Sequence, residues 1–217
     1  MDHLSMGSPQ LDENLLVGFD GVTFPGLPKG RLIEISGRPQ SGVSTFCWAV
    51  ALGTKKVAWV DGDLCGIPAG GLQQGDEADV YVLSPHPGVN WIEEIVTVTA
   101  PLLDVLVVDS WDVISADFSF PVRRHILALC ADAAAQHNTT ILVTTKLWQN
   151  SRTGLEFSKD DRLFRDYASL GLQFTGVHEC QVTYSRIFQS GRRVWFDYPP
   201  GFRSRLDEGF AGQYTGA

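Results

Sequence analysis

Residues 32–48 read LIEISGRPQSGVSTFCW, and this stretch predicts a strand, a glycine-rich turn and a helix. The octet from Gly37 to Ser44 matches the phosphate-binding pattern G-x-x-x-x-G-K-[ST] except at the lysine, which is Val43 here. In that pattern, backbone N–H groups surround phosphate oxygens, the lysine contacts the β- and γ-phosphates, and the hydroxyl binds Mg²⁺. The turn keeps its glycines and the hydroxyl but lacks the cation. We therefore expect phosphoryl transfer, which depends on positioning and electrostatics, to be impaired.

Apolar runs along the chain predict a parallel sheet. Near-continuous Val/Ile/Leu runs are typical of strands buried on both faces, and they occur at 32–36, 57–61, 79–83, 103–109 and 140–145. Helices are predicted between them, at 43–53, 90–100 and 121–137. Short alternating segments predict antiparallel strands at one edge, at 172–175, 180–185 and 193–197. The expected fold class is therefore α/β, a mostly parallel central sheet flanked by helices.

Length and composition indicate one ordinary globular domain. With 217 residues, 44% of them hydrophobic and 19% charged, the chain is long enough for a single core domain over 1–217. Residues 1–30 are expected to form a turn-rich approach segment, and residues 209–217 a frayed tail. No apolar run reaches the roughly 18–20 residues that span a bilayer, and no export signal is evident. Four scattered cysteines suit reduced thiols, so a cytoplasmic location is expected.

The charge is distributed unevenly along the chain. The formal net charge is −8, which argues against extensive coating of nucleic acid. Residues 1–145 contain 7 basic and 17 acidic side chains, whereas residues 146–217 contain 10 basic and 8 acidic ones. A polyanion or an acidic partner is therefore expected at the C-terminal third. A merely solvated face explains the same distribution equally well.

Polar side chains end three of the predicted strands. They are Asp109 with Ser110, Asp61 with Asp63, and Thr144 with Thr145 and Lys146. Because the carboxyl ends of parallel strands meet at one edge of an open α/β sheet, where such sheets bind ligands, we expect these groups to lie close together. An aspartate after a buried strand is also a common helix cap, so the prediction depends on the three strand ends together.

These segments together resemble the RecA recombinase family. The resemblance rests on GLPKGRLIEISG at 26–37, AWVDGD at 58–63, LDVLVVDS at 103–110 and FRDYAS at 164–169. It implies a relic nucleotide site formed by Gly37, Ser41, Gly42, Val43, Ser44, Thr45 and Asp109. It also implies that Asp63 stands at the position of the family's water-activating glutamate. Lys146 falls at the position of the glutamine that senses the γ-phosphate.

The same resemblance places DNA and partner contacts in the C-terminal third. Residues 149–163 correspond to the family's second DNA-binding loop, and the predicted phosphate contacts are Arg152, Lys159, Arg162 and Arg165. Tyr184 and Arg186 are predicted to face a neighbouring subunit or protein partner. The aromatic segment 195–202 is either a partner surface, since aromatic residues dominate interface hot spots, or the closing edge of the core.

Three departures from the family pattern meet at one site. They are Val43 in place of lysine, Asp63 in place of glutamate and Lys146 in place of glutamine. We therefore expect no catalytic residues, no protein-bound metal and no required cofactor, with ATP and Mg²⁺ bound weakly at most. The chain also begins at the core, without the family's N-terminal polymerisation element. A monomer or small oligomer is expected on that ground.

Short RecA-like chains with decayed sites are similar to the ImuA-type accessory proteins of SOS-induced translesion mutagenesis. This resemblance implies a non-catalytic interaction module of the DNA damage response. Its expected partners are RecA or an ImuB-like polymerase accessory protein, with weak DNA binding and no membrane. The alternative is an active DNA-dependent ATPase or recombinase paralogue in which another basic residue replaces the lysine, namely Arg38, Lys29 or a neighbour's Arg186.

Overall fold

The computed structural model of the protein describes residues 2–63, 79–84, 90–149, 151–154 and 156–198. The strands of this part are β1 (His3–Leu4), β2 (Leu16–Val17), β3 (Thr23–Phe24), β4 (Leu27–Pro28), β5 (Leu32–Gly37), β6 (Lys56–Asp61), β7 (Asp79–Leu83), β8 (Val105–Asp109), β9 (Thr140–Gln149), β10 (Glu156–Ser158), β11 (Leu170–Gly176), β12 (Glu179–Ser185) and β13 (Arg193–Trp195). The α-helices are α1 (Pro9–Asn14), α2 (Val43–Leu52), α3 (Asn90–Glu94), α4 (Trp111–Ile114), α5 (Phe120–His137) and α6 (Asp161–Tyr167).

One nine-stranded sheet organises the described residues. Its order is β13-β12-β11-β5-β9-β8-β6-β7, and β10 pairs with β9 outside this path. The pairings from β11 to β7 are all parallel, whereas β12, β13 and β10 are added in antiparallel fashion. The predicted α/β fold with a mostly parallel sheet and antiparallel edge strands is therefore confirmed.

Two hydrophobic clusters cover the two faces of this sheet. Neighbouring residues of a strand point to opposite faces, and on β8 Val107 belongs to one cluster while Val108 belongs to the other. Helix α2 contributes Phe46 to the first cluster, and α5 contributes Ile126 to the second. Burial on both faces explains why the central strands read as continuous apolar runs rather than as alternating ones.

The approach segment is more ordered than its turn-rich sequence indicates. Strand β1 pairs with β4, and β2 pairs with β3, so the segment forms two short antiparallel ribbons. Six of its apolar side chains are buried in the first cluster, namely Leu4, Met6, Leu11, Leu15, Leu16 and Leu27. Glycines and prolines set the turns of this segment, but its leucines anchor it to the core.

The helix predicted at 90–100 is interrupted. Helix α3 ends at Glu94, a π-helical turn covers Ile95–Thr99, and a 3₁₀ turn covers Ala100–Leu102. Two features of the sequence favour this change. Pro101 lacks the N–H that a regular helix requires, and the hydroxyls of Thr97 and Thr99 donate back to main-chain carbonyls one turn earlier, which perturbs helices.

The described residues of the segment 149–163 are not an irregular loop throughout, and the DNA-binding role predicted for the segment stays a prediction. Strand β9 continues to Gln149 and pairs with β10, with Trp148 opposite Phe157, so these two strands form a β-hairpin. Helix α6 then begins at Asp161. The pairing of β9 with β5 ends at Lys146, and β10 pairs with residues 147–149 of β9 beyond that point, which satisfies backbone groups that β5 does not reach.

The described cysteines behave as core residues. Cys47, Cys130 and Cys180 are buried and unbridged, and burial raises the pKa of the Cys130 thiol to about 12. Thiols in such surroundings are poor nucleophiles because the thiolate is strongly disfavoured. Cys65 and the tail at 209–217 lie outside the described residues.

Candidate functional site

The phosphate-loop residues form a tight connection between β5 and α2. Gly42, the residue before α2, has φ +93°, and Gln40 has φ +65°, both in the left-handed region that glycine tolerates best. A Cβ atom on Gly37 would lie 2.6 Å from Cγ2 of Val43. The valine side chain therefore packs directly over the first glycine of the loop. The loop keeps a compact shape, but an apolar group stands where the pattern has a cation.

Two hydroxyl groups hold the carboxylate of Asp109 at the end of β8. Ser44 Oγ donates to one oxygen at 3.0 Å, and Thr144 Oγ1 donates to the other at 2.5 Å. Burial raises the pKa of Asp109, and the nearby carboxylates of Asp63 and Asp61 add to the rise. Hydroxyl and carboxylate oxygens are the ligands that Mg²⁺ prefers. Ser44 and Asp109 therefore fit an Mg²⁺ ion that arrives with a nucleotide.

Lys146 and Asp63 form an ion pair at the same edge of the sheet. Lys146 Nζ lies 3.0 Å from Asp63 Oδ1, and the main-chain N–H of Lys146 donates to Asp112 Oδ2 at 2.6 Å. In the parallel register, Lys146 of β9 lies beside Gly37 of β5. The structure thus brings the two predicted positions together, and it binds the carboxylate of Asp63 to a cation.

These groups line one cavity of about 630 Å³. The cavity wall combines the phosphate loop with the polar strand ends, and its members are Gly37, Arg38, Pro39, Gln40, Ser41, Gly42, Val43, Ser44, Thr45, Asp63, Asp109, Ser110, Thr144, Thr145, Lys146 and Val177. Its size is that of a typical small-molecule site. The predicted convergence of three strand ends and the loop is found here.

A buried hydroxyl in the cavity wall has no partner. Ser41 is 6% exposed, and its Oγ forms no hydrogen bond with any residue the structure describes. A buried polar group without a partner costs free energy comparable to a lost hydrogen bond. Such a group in a cavity wall indicates that a ligand atom can complete its bonding.

Of the three basic residues predicted to compensate for Val43, only Arg38 lines this cavity. The Arg38 guanidinium forms an ion pair with Glu156 of β10 and is 61% exposed. Arg186 instead donates to the carbonyls of Arg165 and Asp166 at the end of α6. Lys29 follows β4 and is not among the residues that line the cavity.

The residues predicted to bind DNA lie on the β9–β10 hairpin and on α6. Arg152, Lys159, Arg162 and Arg165 are all exposed. Arg165 forms an i,i+4 ion pair with Asp161 at 2.8 Å, and its guanidinium lies 4.9 Å from the ring centre of Tyr184. The basic groups therefore share this surface with acidic ones.

Tyr184 is engaged within the chain. Its hydroxyl donates to Glu34 Oε2 at 2.9 Å, and Thr145 Oγ1 donates to Oε1 of the same carboxylate at 3.0 Å. Glu34 is 3% exposed, and burial raises its pKa to about 7 despite these hydrogen bonds. The partner roles predicted for Tyr184 and Arg186 stay predictions.

The aromatic segment predicted at 195–202 is divided between core and surface. Phe196 is buried and packs against Phe174 and Tyr198, whereas Trp195 is 71% exposed. The division follows from the alternation of side chains along an extended chain. Residues 199–202 lie outside the described part of the chain.

Sequence reasoning missed several residues of this region. The carboxylate of Asp112 accepts a hydrogen bond from the main-chain N–H of Lys146. The only feature of the sequence that pointed to Asp112 is that it is a second acidic residue shortly after Asp109. Glu34 lies inside the approach motif but was not recognised as a buried carboxyl. The exposed pair of Trp148 and Phe157 could not be predicted because the hairpin itself was not.

Comparisons with known proteins found similarity in sequence and in fold. No protein-family model matches the chain. Over 116 residues, 51% of the chain, the sequence is 34% identical to the protein RecA of Clostridium beijerinckii. The aligned region is 30% of that protein, so the chain matches under a third of its relative's length. The structure is also similar to the crystal structure of the RadB recombinase, with a TM-score of 0.62 and 18% identity over 78% of this chain and 87% of that one.

The two similarities define the class of fold. The order of the sheet, the phosphate-loop connection and the structural neighbour together show a RecA-like α/β fold. The sequence similarity to RecA supports a relationship to RecA-like recombinases.

Two kinds of feature are absent from the part of the chain that the structure describes. No group of three or more His, Cys, Asp or Glu side chains is arranged to hold a metal ion. No helix of the described residues is both long and apolar enough to cross a membrane.

Proposed function

We propose that this protein is a non-hydrolysing RecA-like interaction module of the DNA damage response, of the ImuA type. Its partners are RecA or an ImuB-like polymerase accessory protein, and its setting is SOS translesion mutagenesis. The similarity to RecA and the fold it shares with the RadB recombinase support the general assignment to DNA repair or recombination. The single observation that carries the non-hydrolysing role is that Val43 and Asp63 occupy the positions of the phosphate-loop lysine and the water-activating glutamate.

Both positions are altered in ways that oppose hydrolysis. Val43 packs over Gly37 and offers no charge to a phosphoryl group, whereas phosphoryl transfer is catalysed mainly by positioning and electrostatics. Asp63 is paired with Lys146, and its side chain is one methylene shorter than the glutamate of the family pattern. A misplacement of about 1 Å costs on the order of 10²-fold in rate.

Exposed aromatic side chains supply a surface suited to a protein partner. Trp148 and Phe157 lie opposite each other on the projecting hairpin, and both are exposed. Arg186, which directly follows β12, is exposed as well. Aromatic and arginine side chains contribute most to interface hot spots, and this chain presents both.

The proposal predicts partner binding without ATP turnover. Purified protein should retain RecA or an ImuB-like accessory protein in a pull-down, and Arg186→Glu should weaken that retention. The matched control is Arg192→Glu, the same charge reversal beside β13. Steady-state ATP hydrolysis with and without single-stranded DNA should stay at background.

Either of two results would reject the proposal. The first is binding of neither partner, and the second is turnover at an ordinary ATPase rate that Asp109→Ala abolishes. The second result would favour the alternative, an active DNA-dependent ATPase with a substitute cation. Arg38, which lines the cavity wall, is the cation that this alternative would use.

Weak DNA binding is expected at the hairpin and α6. Contacts from Arg152 and Arg162 to phosphates carry no sequence information, so affinity should fall steeply with salt and vary little with sequence. The double variant Arg152→Glu/Arg162→Glu should lower affinity for single-stranded DNA by about tenfold or more at low salt, measured by fluorescence anisotropy. The control Lys55→Glu/Lys56→Glu carries the same charge change at the opposite end of the sheet. Equal effects of the two double variants would place the DNA site elsewhere.

A further inference from the structure

We propose that Lys146 replaces the missing phosphate-loop lysine, so that this cavity binds the polyphosphate of a nucleoside triphosphate as a ligand that is not hydrolysed. This inference rests on the proposed non-hydrolysing function and gives it a ligand. In the sequence pattern, the phosphate-binding lysine stands at the start of α2. The inference assigns that role to Lys146 of β9 instead.

The register of the sheet brings the cation back to the loop. Lys146 lies beside Gly37 on the adjacent parallel strand, and adjacent strands are about 4.8 Å apart. Val43 packs over the same glycine. Lys146 therefore enters the cavity from the strand adjacent to the loop that contains Val43. The spacing of adjacent strands is shorter than a lysine side chain, so its ammonium can reach the loop.

The rest of the cavity suits phosphate oxygens. The compact loop leads into α2, whose N-terminal N–H groups and dipole favour an anion. The Ser41 hydroxyl is buried in the wall and has no hydrogen-bond partner among the described residues. The Ser44 hydroxyl lies beside Asp109, where a divalent cation fits. The volume of about 630 Å³ accommodates a nucleotide.

The ion pair with Asp63 is partly exposed, so it does not prevent Lys146 from contacting a ligand. The side chain of Lys146 is 39% exposed and that of Asp63 is 29% exposed, and partly exposed pairs contribute little to stability. An ammonium has three donors, and a polyphosphate carries more charge than one carboxylate. Lys146 can therefore contact a phosphate oxygen while remaining close to Asp63.

Arg38 is the rival cation, and its contacts argue against it. It is more exposed than Lys146, and its guanidinium is bound to Glu156 on the hairpin. Lys146 is also fixed from behind, because Asp112 accepts its main-chain N–H. Lys146 therefore combines a lower exposure with a main-chain hydrogen bond to a carboxylate beside the cavity.

Calorimetric titration with ATP and with inorganic tripolyphosphate tests the assignment, each with Mg²⁺ and with EDTA. Lys146→Gln should raise the Kd for both probes by about tenfold or more, as expected for loss of one charge-assisted hydrogen bond. Arg38→Gln and the distant control Lys55→Gln should change the Kd by less than about threefold. The effect of Lys146→Gln should persist in EDTA, because it does not act through the metal.

A charge-relocation variant separates binding from folding. Val43→Lys in the Lys146→Gln background should return the Kd to within about threefold of wild type, while the Tm of the three single glutamine variants stays unchanged. Val43→Lys replaces a side chain packed against the first cluster, so its own effect on Tm is measured in the single variant. Absence of binding by the wild type, an equal or larger effect of Arg38→Gln, or failure of this rescue at unchanged Tm would overturn the inference. Absence of partner binding would reject the proposed function alone. Turnover of bound ATP would reject the proposed function and the statement that the ligand is not hydrolysed, but it would leave the contact between Lys146 and the phosphates in place.

Discussion

Replacing Trp111 with alanine is expected to lower the free energy of unfolding by about 3–5 kcal/mol, the largest effect predicted for this protein. Trp111 begins α4, directly after the cavity residues Asp109 and Ser110, and it is 1% exposed. Its ring packs edge-on against Phe164 of α6 at 6.1 Å between centroids. Its indole N–H donates to the buried carboxylate of Asp160 at 2.8 Å.

The alanine variant removes packing and a hydrogen bond together. The cavity left behind adds to the lost transfer free energy, and Asp160 loses its indole donor. Trp111→Phe keeps a six-membered aromatic ring but removes the pyrrole part of the indole together with its N–H donor, so it should cost about 1–3 kcal/mol. Denaturant unfolding of both variants separates the two contributions.

Trp195→Ala is the matched control, because Trp195 is 71% exposed. Its effect should stay within about 0.5 kcal/mol of zero. Equal losses for Trp111→Ala and Trp195→Ala would contradict the role given to Trp111. Since α4 also carries Asp112, which holds Lys146, we expect Trp111→Ala to weaken polyphosphate binding as well.

Replacing Glu34 with glutamine is expected to remove a loss of stability that the wild type undergoes as the pH rises. Burial raises the pKa of Glu34 from 4.5 to about 7. Between these values the folded state binds more protons than the unfolded state, so the free energy of unfolding falls as pH increases. The difference corresponds to about 3 kcal/mol, fully lost above pH 7.

Glutamine has no charge to bury at any pH. The hydroxyls of Tyr184 and Thr145, which donate to Glu34, can each donate or accept and so can pair with an amide. Glu34→Gln should therefore match the wild type near pH 4.5 and exceed its stability by up to about 3 kcal/mol at pH 8.

Denaturant titrations at a series of pH values measure this effect. Glu13→Gln, on the exposed side of α1, is the control and should keep the wild-type profile. Asp109, whose pKa is also raised by burial, contributes a fall in the same direction, so the Glu34→Gln profile should fall less steeply than the wild-type one. A profile that falls as steeply as the wild type between pH 4.5 and 7 would show that another group causes the dependence. A profile that is flat but low throughout would show that the amide fits poorly.

The central strands were predictable because burial on both faces leaves a direct mark on composition. The apolar runs at 32–36, 57–61 and 79–83 match β5, β6 and β7 within one residue. The helix at 121–137 matches α5 for the same kind of reason, since its apolar face and Pro121 are local signals. The hairpin of β9 and β10 was not predictable, because its pairing depends on how far β9 extends beyond its neighbours.

The candidate site was predicted in part for the same reason. The three strand ends and the phosphate loop do line one cavity, as the parallel arrangement requires. The parallel arrangement of the strands did not predict which individual side chains pair with each other. Arg38 was considered as a substitute cation, but the structure gives it Glu156, a residue 118 positions away.

The sequence by itself determined the strand–loop–helix unit from Leu32 to Leu52, because glycine turns and apolar runs act over short distances. It also showed directly that the phosphate loop has valine, not lysine, at position 43. Only the tertiary structure decided that Lys146 pairs with Asp63, 83 residues away, and that it lies beside Gly37. The physical reason is the order of the sheet. Strand β9 is inserted between β5 and β8, so a residue distant in sequence brings its charge to the loop that lacks one.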